Sequence, residues 1–410
     1  MKVLLVNKFH YKKGGSETYY FTLADALKKS GHEVIFFSMH DEKNFPCQQE
    51  QYFVSNVAVD GGIKSRLKMV LHIVYSKEAY RNMKRLLTEE RPDLVILNLV
   101  HKQITLSILD AIKEFSEKLP VFWVIHDLIT VCPSYLMLDG KGRTCEECLE
   151  RQSYWPCVRN RCIKGSLLMS MLAKYEADYI KKRKWYEKAD LFICPSHFHE
   201  NKLKEAGFTS RPIVMVRNPL PYKVTEPLQI YRGRYFLYFG RLSREKGIYT
   251  LIQAVMKTGS KLLILGNGPE ENKLKAITKG IEHIKFGGFQ TGEELVETIK
   301  KSLYVVIPSE CYENSPYSAM EAMALGKPLI VSDYGGLPEL VKNGENGYVY
   351  HALDGTEALV ECIRNAEKQA AEEYQKMSDT SYQQAKDMFD PEKYVKKIEK
   401  YYKQFYNVHL

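Results

Sequence analysis

The sequence predicts an α/β fold in which short buried strands alternate with helices, with the pattern run through twice. Three observations carry this. Mostly apolar runs of three to five residues recur at 2–6, 33–37, 93–97 and 121–125, and again at 235–239, 261–265, 304–307 and 329–331. Each is too short for a helix and lacks the alternation of a half-exposed strand, so it reads as a strand covered on both faces of a parallel sheet. Turn residues and helical stretches separate these runs, the order that builds Rossmann-like halves.

The predicted organisation is an N-terminal domain over 1–218, a second over 219–388, and a terminal helix over 389–410. Arg217–Asn218–Pro219 and the polar stretch to Pro227 read as the linker, because a residue before proline favours extended backbone.

Composition sets bounds. The 410 residues are 45% hydrophobic and 27% charged, with a formal net charge of +9. That balance is ordinary for globular domains, and the length suits two or three cores. The positive charge suits an anionic substrate or an anionic membrane surface, and no RNA- or DNA-binding motif accompanies it, so nucleic acid is not an expected partner. The opening MKVLLVNKFH turns polar too soon for a signal peptide, and no apolar run reaches the ~20 residues of a membrane span. A cytoplasmic protein is expected, with contact at the inner face of a membrane left open.

In the first half, the strand at 2–6 runs into a loop ending in Gly14–Gly15, and Ser16 and Glu17 can open a helix to about Ser30–Gly31. This is not a G-x-G-x-x-G fingerprint, which disfavours a dinucleotide cofactor. Gly14–Gly15 either forms a tight turn or lets the backbone approach a diphosphate or acceptor at the helix start. Two basic stretches follow, 63–87 and Lys181–Lys184, both mixed with apolar residues. Either a solvated basic face or peripheral membrane contact accounts for them.

The strand at 121–125 ends at His126–Asp127, where a histidine faces the usual ligand crevice of an α/β sheet. It either contacts substrate or moves a proton, or it pairs locally with Asp127. Next comes a cysteine-rich insertion, 132–165. Cys145-x-x-Cys148 and Cys157-x4-Cys162 have spacings compatible with a tetrahedral structural zinc site, with Cys132 as a fifth candidate. The other reading is packed free thiols. A helical stretch over 167–188 then leads to strands at 191–194 and 213–216.

The second half restarts at 235–239. The loop Gly240–Arg241–Leu242–Ser243–Arg244–Glu245–Lys246–Gly247 follows. Arg241 and Lys246 flank a strand-to-helix turn, where a forked guanidinium and a point charge can grip a diphosphate and stabilise it as it leaves. Glycine turns at 266–269 and at Gly287–Gly288–Phe289 close the next two strands.

The chain is organised around 303–341, LYVVIPSECYENSPYSAMEAMALGKPLIVSDYGGLPELV. It reads as strand, loop, helix, strand, Gly-Gly turn. Ser315 is placed to cap the helix, Pro316 to take its first position, and Gly326 to end it. Glu313 precedes the helix and Glu321 lies inside it, seven residues between them. Carboxylates beside a phosphate site accept hydroxyls, so Glu321 is expected to hold a ribose and Glu313 a sugar; two solvated glutamates are the alternative. The last stretch, 391–405, carries an aromatic stripe read as packing.

The run Glu313–Asn314–Ser315–Pro316–Tyr317–Ser318–Ala319–Met320–Glu321–Ala322 resembles the E-x7-E motif of the retaining glycosyltransferases of family 4. Gly326–Lys327–Pro328 and Gly335–Gly336–Leu337–Pro338–Glu339 resemble its continuation, and Gly240–Arg241 with Lys246–Gly247 resembles its phosphate motif. One departure is Asn314–Ser315, where the family often has Gly-Phe. The resemblance implies a GT-B architecture, two Rossmann-like domains facing a cleft, with the terminal helix folded back across both. It implies transfer of a sugar from a UDP- or GDP-sugar to a glycan or lipid-linked acceptor, in surface polysaccharide synthesis, with retention of configuration. Arg241 and Lys246 then hold the diphosphate, Glu321 the ribose, and Glu313 with Asn314, Ser315, Pro316 and Tyr317 the sugar. Gly15, Phe289 and His126 complete the set, His126 and Gly15 from the N-terminal domain and Phe289 near the base. No Asp-x-Asp occurs, so metal-independent catalysis without a cofactor is expected. The alternatives are a nucleotide-sugar epimerase or phosphorylase of the same architecture, or a non-catalytic sugar-binding partner.

Overall fold

The structure is a computed structural model describing residues 1–56, 74–224 and 232–409. Two compact α/β units emerge. One comprises Met1–Lys141, Cys145–Pro221 and Pro391–Leu410; the other comprises Tyr222–Asp390 with Gly142–Thr144.

The first unit is built on β1 (Lys2–Val6), β2 (Glu33–Phe37), β3 (Leu94–Leu97), β4 (Val121–Val124), β5 (Leu191–Cys194) and β6 (Ile213–Met215). All pair parallel, in the order β2-β1-β3-β4-β5-β6. Helices cover the sheet, which is why β3, β4 and β5 are buried at every position and read as unbroken apolar runs. Helix α1 (Gly15–Lys29) starts after an extended Gly14 and buries Tyr19, Tyr20, Leu23 and Leu27. Helix α2 (Lys77–Glu90) is capped by Ser76, whose hydroxyl accepts from the Ala79 N–H at 3.1 Å. It packs on α3 (Ser107–Phe115).

The insertion forms two short helices, α4 (Glu147–Glu150) and α5 (Trp155–Arg159), before α6 (Leu167–Lys182). The helix predicted to reach Lys188 stops at Lys182, because Lys184 is left-handed (φ 53°). Asp110 of α3 holds that turn: it accepts from Trp185 Nε1 at 2.8 Å, Arg183 at 2.9 Å and Lys188 at 2.5 Å. Helix α7 (His197–Glu205) follows β5.

Strands β7 (Phe236–Phe239), β8 (Leu262–Leu265), β9 (Ile284–Gly288), β10 (Tyr304–Ile307), β11 (Leu329–Ser332) and β12 (Gly347–Tyr350) build the second unit. Their order is β12-β11-β10-β7-β8-β9, all parallel. This is the dinucleotide-fold order, with the chain reversing direction across the sheet between β7 and β10. Five helices surround it: α8 (Ile248–Thr258), α9 (Glu271–Ile277), α10 (Gly292–Lys300), α11 (Tyr317–Ala324) and α12 (Gly355–Lys368), with α13 (Ala371–Met388) packed on α11. Ile252, Val255, Leu262, Val306, Ile330, Leu359 and Ile363 form the core.

Helix α14 (Pro391–His409) belongs to the first unit and lies along α1. Tyr394, Val395 and Ile398 are buried, and the Tyr19 and Tyr394 hydroxyls share a 2.6 Å hydrogen bond. Tyr394, the aromatic residue at its start, is a packing residue, as the spacing suggested.

Of the basic stretch 63–87, residues 63–73 lie outside the described residues. On α2, Lys84 pairs with Glu114 at 3.3 Å and Arg85 donates to the Gln51 carbonyl at 2.6 Å, a face engaged with its own protein.

Candidate functional site

In the second unit the loops after β7 and β10 leave adjacent strand ends in opposite directions. That leaves the crevice where α/β sheets take their ligands. The β7 loop brings Arg241 and Lys246; the β10 loop brings Glu313 to Tyr317. Lys246 ends a single 3-10 turn, Arg244–Lys246, and its Nζ lies 2.5 Å from Glu313 Oε1. Burial opposes that ammonium charge, but the Glu313 carboxylate outweighs it and holds Lys246 above the ordinary lysine range. Ser309 Oγ donates to the same Glu313 oxygen at 2.7 Å, and Ser332 Oγ anchors Ser309 through its carbonyl at 2.7 Å.

Two glycines set this geometry. A Cβ on Gly247 (φ +68°) would fall 1.7 Å from the Pro308 carbonyl oxygen, so glycine lets the Lys246 turn close on the end of β10. A Cβ on Gly335 (φ +68°) would fall 2.2 Å from the Glu313 carbonyl oxygen, and the Gly336 N–H donates to that oxygen at 2.7 Å. The Gly335–Gly336 turn therefore clamps the Glu313 backbone.

Arg241 is exposed and, among the described residues, holds no carboxylate. Its carbonyl accepts the Tyr238 hydroxyl at 2.8 Å, which fixes the loop. The predicted cap at Ser315 does not form. Pro316 is extended (φ −68°, ψ 136°) and is itself the residue before α11. Ser315 Oγ is instead buried with no hydrogen-bond partner, an orphan that a ligand atom can satisfy. Asn314, Pro316 and Tyr317 are half-buried around it. Glu321 lies inside α11, and burial pushes its carboxyl up to about 7. Phe289, on the loop after β9, is 68% exposed. It stands two strands from β7, about 10 Å by strand spacing, so it lies apart from the Lys246–Glu313 pair.

The first unit has its own chain reversal, between β1 and β3. Gly15 is the exposed first residue of α1, and His126 follows β4, next to β3. His126 does not pair with Asp127. Its Nε2 lies 2.9 Å from Asn98 Oδ1, and its ring packs edge-on against Tyr19 at 4.6 Å. Because Asn98 Oδ1 only accepts, Nε2 carries the proton and Nδ1 is left as an acceptor. Burial pulls His126 down to about 3, so the imidazole is neutral at pH 7. Asp127 receives the Ile129 N–H at 3.1 Å, and burial pushes it up to about 6.

Asn98, Lys8 and Ser309 are site neighbours that sequence reasoning passed over, and Asp127 enters it only as a local partner for His126. Asp127 carried a signal in standing beside His126. Burial, with Lys102 and Lys13 near it, pulls Lys8 down to about 8.

Of the four cysteines proposed as a zinc cage, Cys145, Cys148, Cys157 and Cys162, three stand in close thiol pairs. Cys148 shares a hydrogen bond with Cys132, and Cys157 with Cys162. Cys145 faces Asn160 instead, 3.9 Å from its Nδ2. Among the described residues no group of three or more His, Cys, Asp or Glu is arranged to hold a metal ion, and the described cysteines are free thiols.

The family model of glycosyltransferase family 4 matches residues 13–222, and that of glycosyl transferases group 1 matches 226–384. The chain belongs to glycosyltransferase family 4. A lipopolysaccharide 1,6-galactosyltransferase of Salmonella typhimurium is 27% identical over 187 residues, 43% of this chain and 52% of that protein. An uncharacterized glycosyltransferase of Methanocaldococcus jannaschii is 41% identical over 122 residues, 28% of this chain and 31% of that protein. These matches span about a third to a half of the curated relatives' lengths. Among solved structures, Anabaena HepE in complex with UDP and glucose superimposes with TM-score 0.65 at 18% identity, covering 98% of each chain. Sucrose-phosphate synthase from Thermosynechococcus elongatus gives TM-score 0.70 at 18% identity, covering 99% of each. The fold of this family 4 chain is thus GT-B. No described helix is long and apolar enough to cross a membrane.

Proposed function

We propose that this family 4 chain is a retaining glycosyltransferase. It moves a sugar from a nucleoside-diphosphate sugar, UDP- or GDP-linked, to a glycan or lipid-linked acceptor in surface polysaccharide synthesis. The observation that carries the reading is the Lys246–Glu313–Ser309 constellation at the β7/β10 reversal, with Arg241 exposed on the same loop and holding no carboxylate among the described residues. A crevice there with an exposed guanidinium, an ammonium and a buried Ser315 hydroxyl that has no partner among the described residues suits a diphosphate beside a polyol.

The roles follow from the chemistry. Arg241 and Lys246 bind the diphosphate and stabilise it as its charge grows. Glu313, held by Ser309, accepts hydroxyls of the transferring sugar, and Ser315 donates to it. Glu321 accepts from the ribose. His126, neutral with Nδ1 as acceptor, takes a sugar hydroxyl. The acceptor oxygen bonds to the anomeric carbon on the face the diphosphate leaves; that carbon's bond to the diphosphate oxygen breaks, and the acceptor proton passes to the departing phosphate. The two cations take over the charge-neutralising task of a divalent ion, so turnover is independent of one. Action on a lipid-linked acceptor places the chain at a membrane surface.

The test is release of nucleoside diphosphate from a panel of nucleotide-sugars, with and without chelator, and with the product's anomeric configuration read by NMR. Acceptor-dependent release with a retained anomer is expected. Conversion of donor with no acceptor would favour an epimerase. A folded protein that binds no nucleotide would sink the enzymatic reading.

A further inference from the structure

Helix α6 buries two polar residues and leaves several large apolar ones outside. Its buried residues are Ser170, Glu176 and Ile180. Leu167, Leu168, Met171 and Tyr175 are 49%, 67%, 49% and 52% exposed. Leu168, Met171 and Tyr175 stand three and four residues apart, so they share one face. Trp155 of α5, 62% exposed, adds to this surface, with Lys174 Nζ of α6 4.3 Å from its ring centroid. A helix of a soluble domain turns leucine and methionine inward and polar residues outward. A contiguous apolar face left outside marks a docking surface.

The charge around it says what docks. Residues 159–188 hold nine basic and three acidic side chains, a net +6 against +9 for the whole chain. Arg161 and Lys164 before the helix, and Lys181 and Lys182 in its last turn, are exposed and, among the described residues, hold no carboxylate. A second copy would bring like charge onto like charge. A soluble polyanion has no use for leucine and methionine. An anionic bilayer satisfies both, because apolar side chains enter the headgroup boundary while cations neutralise lipid phosphates.

We propose that the exposed face of α6, with Trp155, seats in the interface of a membrane carrying anionic lipids. This deepens the reading of a transferase working at a membrane surface, and rests on it. The face belongs to the first unit and the Lys246–Glu313 pair to the second, so loss of the face is expected to leave nucleotide binding intact.

The experiment is co-sedimentation of the full chain with phosphatidylglycerol-containing vesicles and with pure phosphatidylcholine vesicles, at low and high salt. Leu168→Glu/Met171→Glu and Lys181→Glu/Lys182→Glu are run alongside, with the Tm and nucleotide-sugar affinity of each. Trp123 and Trp185 are buried, so Trp155 is the exposed tryptophan of the three, and its emission should shift to the blue on binding. Expected are preference for anionic vesicles, weakening with salt, and a loss of about tenfold or more in either variant at unchanged nucleotide affinity. Variants that bind like wild type overturn the surface while the membrane reading stands. Wild type that binds neither vesicle overturns the membrane reading itself. A dimer in light scattering that Leu168→Glu/Met171→Glu dissolves would hand the face to a second copy and overturn the proposal.

Discussion

Lys246 Nζ and Glu313 Oε1 lie 2.5 Å apart, joined across 67 residues of chain by the closeness of β7 and β10. Glu313 holds the lysine in its charged form, and the contact keeps both side chains in place. The pair sits where both side chains have a proposed task, the ammonium on diphosphate and the carboxylate on sugar. Ligand entry must therefore offer Lys246 a better anion, and a diphosphate does.

Replacing Lys246 tests that arrangement first. Lys246→Ala should lower kcat by about 100-fold or more, the usual cost of losing one donor to a charge-developing group. It also strands a partly buried carboxylate, at roughly 2 kcal/mol of stability. Steady-state rates and a melting curve on the same preparation separate the two effects. Near-wild-type transfer would remove Lys246 from the site.

Gly335→Ala should act on Glu313 from behind. The new Cβ would fall 2.2 Å from the Glu313 carbonyl oxygen, so that loop must shift. Gly344→Ala is the control, with the same left-handed backbone (φ +81°) and nothing within 4 Å of its Cβ. Both variants pay backbone strain of about 1 kcal/mol. Only Gly335→Ala should also raise the donor KM; equal KM values for the two would mean the clamp does not matter.

Glu321 gives a pH signature. Burial raises its folded pKa to about 7 from an ordinary 4.5. Its contribution to stability is fully present below about 4.5 and lost as pH rises through 7. Glu321→Gln should therefore gain stability over wild type as pH goes from 5 to 8. A ribose hydroxyl binds the ionised carboxylate better, so affinity for a nucleotide-sugar should rise through pH 7 in wild type and stay flat in the variant. Calorimetric titrations at pH 5.5 and 8.5 check this, and a flat wild-type profile would contradict the ribose assignment.

His126 should show the opposite sign. Its folded pKa is near 3 against 6.5 unfolded, so the stability it supports is present above 6.5 and is lost as pH falls toward 3. Its NMR titration should show no midpoint near 6.5. Asn98→Asp places a carboxylate on Nε2, stabilises the imidazolium and should bring a midpoint into the measurable range, with transfer slowed below that pH. A His126 that already titrates normally in wild type would remove the neutral-acceptor role.

Much of the fold was legible because parallel strands are buried on both faces and so stay uniformly apolar. The runs at 2–6, 33–37, 191–194 and 304–307 coincide with β1, β2, β5 and β10. Glu313, Lys246 and Arg241 could be singled out because charged residues at the C-terminal ends of buried strands are conspicuous. The misses share a cause. Ser315 was read as a cap from local preference, but the extended Pro316 backbone places the helix start one residue on. The helix read to Lys188 stops at Lys182 because Asp110, more than seventy residues earlier, draws in Arg183, Trp185 and Lys188. The cysteine spacings left partners open, and the fold sets Cys132 against Cys148 and Cys145 against Asn160.

The sequence by itself determined the α/β class, the strand positions, the motif of family 4 and the residue types of the proposed diphosphate and polyol site. Those rest on local properties: apolar runs, turn residues, charges at strand ends. Only the tertiary structure decided strand order, and with it the reversal between β7 and β10 that sets Lys246 against Glu313. It alone decided that His126 takes Asn98 as its partner over the adjacent Asp127, and that α6 buries a serine and a glutamate while Leu167 and Leu168 face out. Such pairings depend on which distant segments the packed sheet brings within a few ångströms, and neither hydropathy nor spacing along one stretch of chain encodes that distance.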